Sequence, residues 1–159
     1  MKDKKSLIVY FSYTGNTRQI ANKIKKVTGY DVLELEPMVP YSEDYQTVVD
    51  REEEKMDREE IILLKPIDVN LEEYDHIILG SPVWWYTVAP PVRSFLLQND
   101  LSNKEIISFI TNGGWVGHSF EDIKRYATNS VCDKYINLVF DGNVMKTKIE
   151  ELDEFIGSL

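Results

Sequence analysis

Five strand-like runs, separated by helix-like segments, constrain the fold of this sequence more than any other feature. The first, third and fourth runs are almost continuously apolar, which is typical of strands covered on both faces, and the second alternates as an edge strand does. The runs are LIVYF (7–11), DVLELE (31–36), HIILGS (76–81), EIISFIT (105–111) and YINLVF (135–140).

Helical patterns lie between the runs and after the last one. The segment TRQIANKIKKVTG carries an apolar stripe and is expected to end at Gly29, because glycine commonly follows a last helical turn. Prolines at the start of APPVRSFLLQND and acids in the first turn of SFEDIKRYA favour two more helices. A further helix is expected within 43–60. The segment VMKTKIEELDEFIGSL places four apolar residues on one helical face, namely Met145, Ile149, Leu152 and Ile156.

Strands that alternate with helices predict crossover units and an α/β fold with a mainly parallel sheet between two helical layers. Five strands in 159 residues match a doubly wound sheet of strand order 2-1-3-4-5. We find no linker, internal repeat or low-complexity tract, so a single domain over 1–159 is expected.

Composition and charge narrow the functional class. The net charge of −9 argues against nucleic acid as a partner, because its phosphates need a basic surface. No apolar run approaches the ~20 residues that a membrane span needs, and the N-terminal MKDKKSLIVYF is interpreted as a strand rather than a signal peptide. A single cysteine, Cys132, excludes an internal disulfide framework, fits a cytoplasmic protein and is expected to be a quiet thiol.

Acidic residues are concentrated in 43–60. This segment has nine acids and three bases, so it carries −6 of the total charge of −9. It is either the solvated face of a helix or a landing zone for the basic surface of a partner protein.

The loop SYTGNT follows the first strand and opens the first helix, where unpaired N–H groups favour an anion. Gly15 allows a tight turn and a close backbone approach, and three hydroxyl groups and an amide surround it. The loop has no lysine, and neither the nucleoside-triphosphate nor the dinucleotide glycine pattern is present. We therefore predict one terminal phosphate held by neutral donors, with plain helix capping as the alternative.

The loop after the third strand, GSPVWWYTVAPP (80–91), has three adjacent aromatic side chains between prolines that stiffen it. In a doubly wound sheet this loop lies beside SYTGNT and the loop after the fourth strand. The aromatics Trp84, Trp85 and Tyr86 are predicted to form the wall of a site for a flat ligand. The alternatives are an aromatic plug under the loop or a protein-contact patch.

The loop after the fourth strand, TNGGWVGHS (111–119), is predicted to contact the edge of the same flat heterocycle. Gly113 and Gly114 free the backbone there, and Trp115 follows them. His118 is a candidate proton donor to a reduced substrate or cofactor, or else a cap of the next helix. His76, at the start of the third strand, is interpreted as structural.

Taken together, these features resemble the flavodoxin family, over the whole chain. SYTGNT matches the family's phosphate-loop pattern Thr/Ser-x-Thr-Gly-x-Thr, between a strand and a helix at the N-terminus. The resemblance implies the flavodoxin-like fold and a bound flavin mononucleotide (FMN), and no metal is expected. It places three groups of residues around the flavin. The phosphate would be held by Ser12, Thr14, Gly15, Asn16 and Thr17, and Tyr13 of the same loop is also expected to bind the cofactor. The ring would be lined by Pro82, Val83, Trp84, Trp85 and Tyr86, and its other side or edge contacted by Thr111, Asn112, Gly113 and Gly114.

The sequence resembles the short-chain type, because the region before Asp141 has no room for the insertion of long-chain members. It departs from many electron-transfer members after Trp84, where a glycine peptide can flip toward the half-reduced flavin. Trp85 stands there, and a tryptophan is expected to resist positive φ and to hinder a flip. The second and third loops also resemble those of NAD(P)H:quinone reductases. The expected function is therefore an FMN-binding electron carrier for redox partner proteins with basic surfaces, and the alternative is a reductase that uses NAD(P)H and a quinone.

Overall fold

The computed structural model describes residues 5–159, apart from the side chains of residues 54, 56 and 57. The strands are β1 (Ser6–Tyr10), β2 (Asp31–Glu34), β3 (His76–Trp84), β4 (Thr87–Val88), β5 (Glu105–Asn112), β6 (Val131–Asp141) and β7 (Val144–Met145). The helices are α1 (Asn16–Thr28), α2 (Tyr45–Asp57), α3 (Pro90–Gln98), α4 (Ser119–Tyr126) and α5 (Ile149–Gly157), and one 3-10 turn spans Leu71–Glu73.

Five long strands pair in parallel in the order β2-β1-β3-β5-β6, which confirms the predicted order 2-1-3-4-5. The alternating strand β2 is at the edge, as its pattern indicated. Two short antiparallel strands were not expected. They are β4, which folds back on β3, and β7, which folds back on the end of β6.

The helical prediction from Val144 onward is wrong at its start. Val144 and Met145 pair with Asp141 and Phe140 as β7, and α5 begins only at Ile149. The cause is the two-residue turn at Gly142, whose φ of 59° suits a tight hairpin. Met145 therefore packs from a strand rather than from the helix.

Alternate residues of each central strand point to opposite faces of the sheet, and each face has its own core. Leu7 and Val9 pack with Phe95 of α3 on one face, whereas Ile8 packs with Ile24 of α1 on the other. The helices α3 and α4 thus cover one face, and α1 and α5 cover the second. No helix among residues 5–159 is long and apolar enough to cross a membrane.

Candidate functional site

The loops at the carboxyl ends of β1, β3 and β5 surround one cavity of about 810 Å³. All of the predicted cofactor-binding residues line it except Ser12, Gly15 and Thr17. The predicted residues on its wall are Tyr13, Thr14, Asn16, Pro82, Val83, Trp84, Trp85, Tyr86, Thr111, Asn112, Gly113 and Gly114. This size is within the range of pockets that hold small organic ligands.

The SYTGNT loop folds around the Ser12 side chain. The backbone N–H groups of Gly15 and Arg18 both donate to Ser12 Oγ, each at 3.2 Å. Gly15 has a φ of 100°, and a β-carbon there would meet no atom within 4 Å. The N–H groups of Thr14 and Asn16 donate to no other described residue. The loop thus presents free donors at the positive end of α1.

The side chains of Thr17 and Arg18 are engaged by other residues of the chain. Thr17 is 1 % exposed, and its Oγ1 lies 2.8 Å from Thr111 Oγ1, which links the start of α1 to the end of β5. Arg18 pairs with Glu34 on the surface. The one cation next to the loop in sequence is therefore already paired.

Asn16 joins the loop to the β6–β7 turn and keeps one acceptor unused. Its Nδ2 donates to the carbonyl of Gly142 at 2.8 Å. Its Oδ1 is buried, and no described residue donates to it. An unpaired buried acceptor costs free energy, so this atom calls for a donor from a ligand or water in the cavity.

Trp84 forms one wall of the cavity and is held from behind by other rings. It packs edge-on against Phe11, Tyr13 and Tyr41, with ring centroids 5.7, 5.6 and 4.9 Å away. The Tyr13 hydroxyl donates to the carbonyl of Ser42 at 2.6 Å, which fixes this ring as well. The sequence analysis gave a packed aromatic plug and a cavity wall as alternatives, and Trp84 is both.

Trp85 and Tyr86 form the two-residue turn between β3 and β4, and both have positive φ, 47° and 68°. Trp85 thus adopts the positive φ that a tryptophan was expected to resist. A two-residue hairpin matches the strand twist best with both φ angles positive, and this requirement overrides the preference of the side chains. The strain is roughly 1–2 kcal/mol per residue. The Tyr86 ring packs against Trp115, with centroids 4.7 Å apart, and both rings are exposed.

The glycine pair after β5 leaves backbone open toward the cavity. A β-carbon at Gly113 or at Gly114 would meet no atom within 4 Å. Asn112 braces the pair, because its Oδ1 accepts from the N–H of Gly114 at 3.0 Å while its Nδ2 lies 2.5 Å from Asn137 Oδ1. The main chain here is therefore free of side-chain obstruction on the cavity wall.

Among the residues that the structure describes, His118 is not one of those that line the cavity. Its Nδ1 lies 2.5 Å from Asp122 Oδ2, and its ring is 56 % exposed. Burial by itself would raise the pKa of Asp122, but hydrogen bonds from Thr87, Arg125 and His118 outweigh it and lower that pKa. The ionised carboxylate can only accept, so His118 Nδ1 carries a proton.

Six further residues line the cavity that the predicted set did not include, namely Tyr45, Val48, Val49, Trp115, Phe140 and Gly142. Three of them lie on α2, which therefore forms part of the wall. The sequence feature that could have indicated this role of α2 is the apolar pair Val48–Val49 in an otherwise acidic helix. Phe140 and Gly142 enter because the β6–β7 hairpin turns back beside Asn16.

Known proteins share this architecture. The family model described as Flavodoxin matches residues 5–155. A structure from Bacteroides eggerthii, of a protein classed as a flavoprotein, is 24 % identical and covers 98 % of each chain, with a TM-score of 0.80. A flavoprotein of Lactobacillus acidophilus in complex with FMN is 23 % identical and covers 96 % of this chain and 99 % of that one, with a TM-score of 0.73. No curated protein matches the sequence significantly.

Proposed function

Because the chain belongs to the flavodoxin family, we propose that it binds FMN non-covalently and carries electrons between proteins in the cytoplasm. One observation carries this proposal. A lysine-free cradle of backbone donors and an aromatic wall open into the same cavity. The donors suit one terminal phosphate, and the aromatic wall suits a flat ring system. A ligand that combines both is a flavin mononucleotide.

The chemistry of the donor set fits a phosphate. At neutral pH a phosphate monoester carries roughly −1.5 to −2 charges and accepts several hydrogen bonds. The N–H groups of Thr14 and Asn16 are free among the described residues, and the first turn of α1 adds its positive end. Ser12 accepts two backbone bonds and so shapes the cradle.

The buried acceptor of Asn16 supports the middle part of the ligand. The sugar-alcohol chain of FMN carries hydroxyl donors, and Asn16 Oδ1 has no donor among the described residues. Asn16 belongs to the phosphate loop, and it lines the same cavity as the aromatic side chains. FMN would therefore satisfy an atom that the protein leaves unpaired.

When bound, the flavin supplies the redox chemistry, and the residues of this chain bind, orient and shield it. Trp84 offers a ring held in place by three neighbours, so it positions a flat ligand without moving. The backbone at Gly113 and Gly114 can hydrogen-bond a polar ring edge. No metal enters this scheme.

The location of α2 supports a protein partner. Tyr45, Val48 and Val49 of this helix line the cavity, so the N-terminal part of the acidic segment 43–60 lies beside the proposed flavin. A negative surface next to the site would guide partners with basic surfaces and accelerate their association at low salt.

The Trp85–Tyr86 turn favours a second candidate, an NAD(P)H-dependent reductase of quinones or similar flat substrates. Rotation of the central peptide by half a turn would leave Trp85 with positive φ and a ψ of about −120°, a region open essentially to glycine alone. The turn is therefore rigid. A peptide that cannot flip would not favour a half-reduced flavin, and paired electron transfer would dominate.

Titration of the apoprotein with FMN and with riboflavin tests the cofactor. We expect a yellow complex with FMN and a lower affinity for riboflavin, which has no phosphate. Thr14→Ala should weaken the binding of FMN more than that of riboflavin. Thr28→Ala, at the far end of α1, should change neither affinity. Absence of FMN binding would refute the proposal, and equal losses for the two ligands would refute the phosphate assignment.

Anaerobic reduction, followed by absorbance, separates the two functions. Accumulation of a half-reduced flavin without NAD(P)H turnover supports the carrier. Direct oxidation of NAD(P)H by a quinone, with no such accumulation, supports the reductase.

A further inference from the structure

The aromatic turn at the cavity needs an external support. Trp85 and Tyr86 both adopt a left-handed conformation that their side chains disfavour, and β4 is only two residues long. A hairpin this short is marginal by itself in water. Something outside it must hold the turn in place.

The loop before α4 supplies this support through its backbone. The N–H of His118 donates to the carbonyl of Tyr86 at 2.7 Å. Gly117 lies so close that a β-carbon there would be 2.5 Å from the carbonyl carbon of Tyr86 and closer still to its oxygen. Gly117 also has a φ of 62°, so glycine meets both demands at this position.

A side-chain link repeats the connection one residue further along. The Thr87 hydroxyl donates to Asp122 Oδ2 at 2.5 Å, and His118 Nδ1 lies 2.5 Å from the same oxygen. Asp122 is buried in the first turn of α4, and Arg125 donates to its second oxygen at 3.0 Å. Both oxygens of this carboxylate are therefore engaged, and its position is fixed.

From these contacts we infer that Gly117, His118 and Asp122 form a clamp that positions the Trp85–Tyr86 turn against the flavin ring. The inference rests on the proposed function, because the flavin is the ligand that the turn would meet. His118 acts here as a positioning residue. Its backbone and its ring both serve the hairpin, and the described cavity wall does not include it.

Hydrogen exchange of the apoprotein tests the clamp without any flavin. In Gly117→Ala the amide hydrogens of His118 and of the 83–88 hairpin should exchange at least about tenfold faster, because the hydrogen bonds that protect them open. Gly29→Ala is the matched control. Gly29 also has positive φ, 74°, but a β-carbon there meets nothing within 4 Å and the residue is at the far end of α1. Unchanged exchange at 83–88 in a folded Gly117→Ala would overturn the inference.

Binding measurements then test the effect on the ring. Gly117→Ala should raise the dissociation constants of FMN and riboflavin by the same factor, about tenfold. It should also alter the visible circular dichroism of the bound flavin. The inhibition constant of inorganic phosphate, measured in competition with FMN, should be unchanged, because the cradle at α1 is intact. A loss confined to FMN, with riboflavin unaffected, would contradict a role at the ring.

Thr87 provides a milder route if Gly117→Ala does not fold. Thr87→Val keeps the shape but removes the donor to Asp122, and Thr87→Ser restores the hydroxyl. We expect Thr87→Val to raise the dissociation constants of FMN and riboflavin by about threefold to tenfold. Thr87→Ser should recover the wild-type values. Failure of Thr87→Ser to recover, or no loss in Thr87→Val, would count against the clamp. If the wild-type protein binds no flavin, the proposed function fails, while the exchange experiment still decides whether the clamp exists.

Discussion

Replacement of one threonine in the buried Thr17–Thr111 pair should destabilise the protein more than replacement of both. The two hydroxyl oxygens lie 2.8 Å apart, and the residues are 1 % and 3 % exposed. Thr17→Val keeps the side-chain shape but leaves the hydroxyl of Thr111 buried without a described partner. A buried hydroxyl without a partner costs about 1–3 kcal/mol, so each single substitution should cost that much.

The double substitution removes both polar groups and places two methyl groups in contact, which is close to neutral. Independent effects would add to about 2–6 kcal/mol, since each single loss is about 1–3 kcal/mol. The two outcomes therefore differ by at least about 2 kcal/mol, well above the error of a denaturation experiment. In a domain of this size 1 kcal/mol corresponds to roughly 2–4 °C in Tm.

Urea unfolding of the apoprotein, followed by far-ultraviolet circular dichroism, measures the four free energies of the cycle. A control cycle combines Thr17→Val with Ser130→Ala. Ser130 lies just before β6, at the amino end of the parallel strands, whereas Thr111 is near the carboxyl end of β5; Ser130 donates to the carbonyl of Ala127 at 2.6 Å. Those two effects should add within about 0.5 kcal/mol. If the Thr17/Thr111 double variant lost as much stability as the two singles together, the reasoning on this pair would be wrong.

Two other predictions concern stability. Arg125 lowers the pKa of Glu59 to about 2, whereas a glutamate in an unfolded chain has a pKa of ~4.3. The Glu59 carboxylate therefore stabilises the fold fully above pH ~4.3, and this contribution disappears as the pH falls toward 2. Glu59→Gln should therefore flatten the dependence of the unfolding free energy on pH between about 5 and 2, and an unchanged slope would contradict this. A β-carbon at Gly80 would lie 3.0 Å from one Phe109 ring carbon and closer to two others, so Gly80→Ala should cost about 1–3 kcal/mol of unfolding free energy. Gly157→Ala in α5, where a β-carbon meets nothing within 4 Å, should instead add about 0.4–1 kcal/mol, and equal effects in urea unfolding would refute the packing argument.

The sequence predicted the sheet and most of the cavity wall because both depend on local patterns. Continuous apolar runs marked the central strands, and the hydroxyl-rich loop marked the start of α1. The carboxyl ends of parallel strands meet at one edge, so loops far apart in sequence could be placed together. Asn16, Trp84 and Gly113 therefore line one cavity, as expected.

Tertiary requirements decided what the sequence did not predict. The turn at Trp85–Tyr86 has no glycine, so its left-handed conformation follows from hairpin twist and from the approach of Gly117. The role of α2 in the wall depends on how a connection between strands folds back, and no periodicity encodes that. The strand β7 could have been found, because the Gly-Asn pair at 142–143, close after an apolar run, is a hairpin signal.

The proposed cofactor is an anion and the protein carries a net charge of −9, so attraction must be local. The cradle at α1 offers N–H groups in direct contact, and a hydrogen bond to a charged group contributes about 1.5–3 kcal/mol. Exposed acids such as Asp50 and Glu53 act through water, where salt screens a charge over about 8 Å. A few contact donors therefore outweigh the diffuse repulsion, and no lysine is needed in the loop. The acidic helix beside the cavity thus remains compatible with phosphate binding and is available to a basic partner.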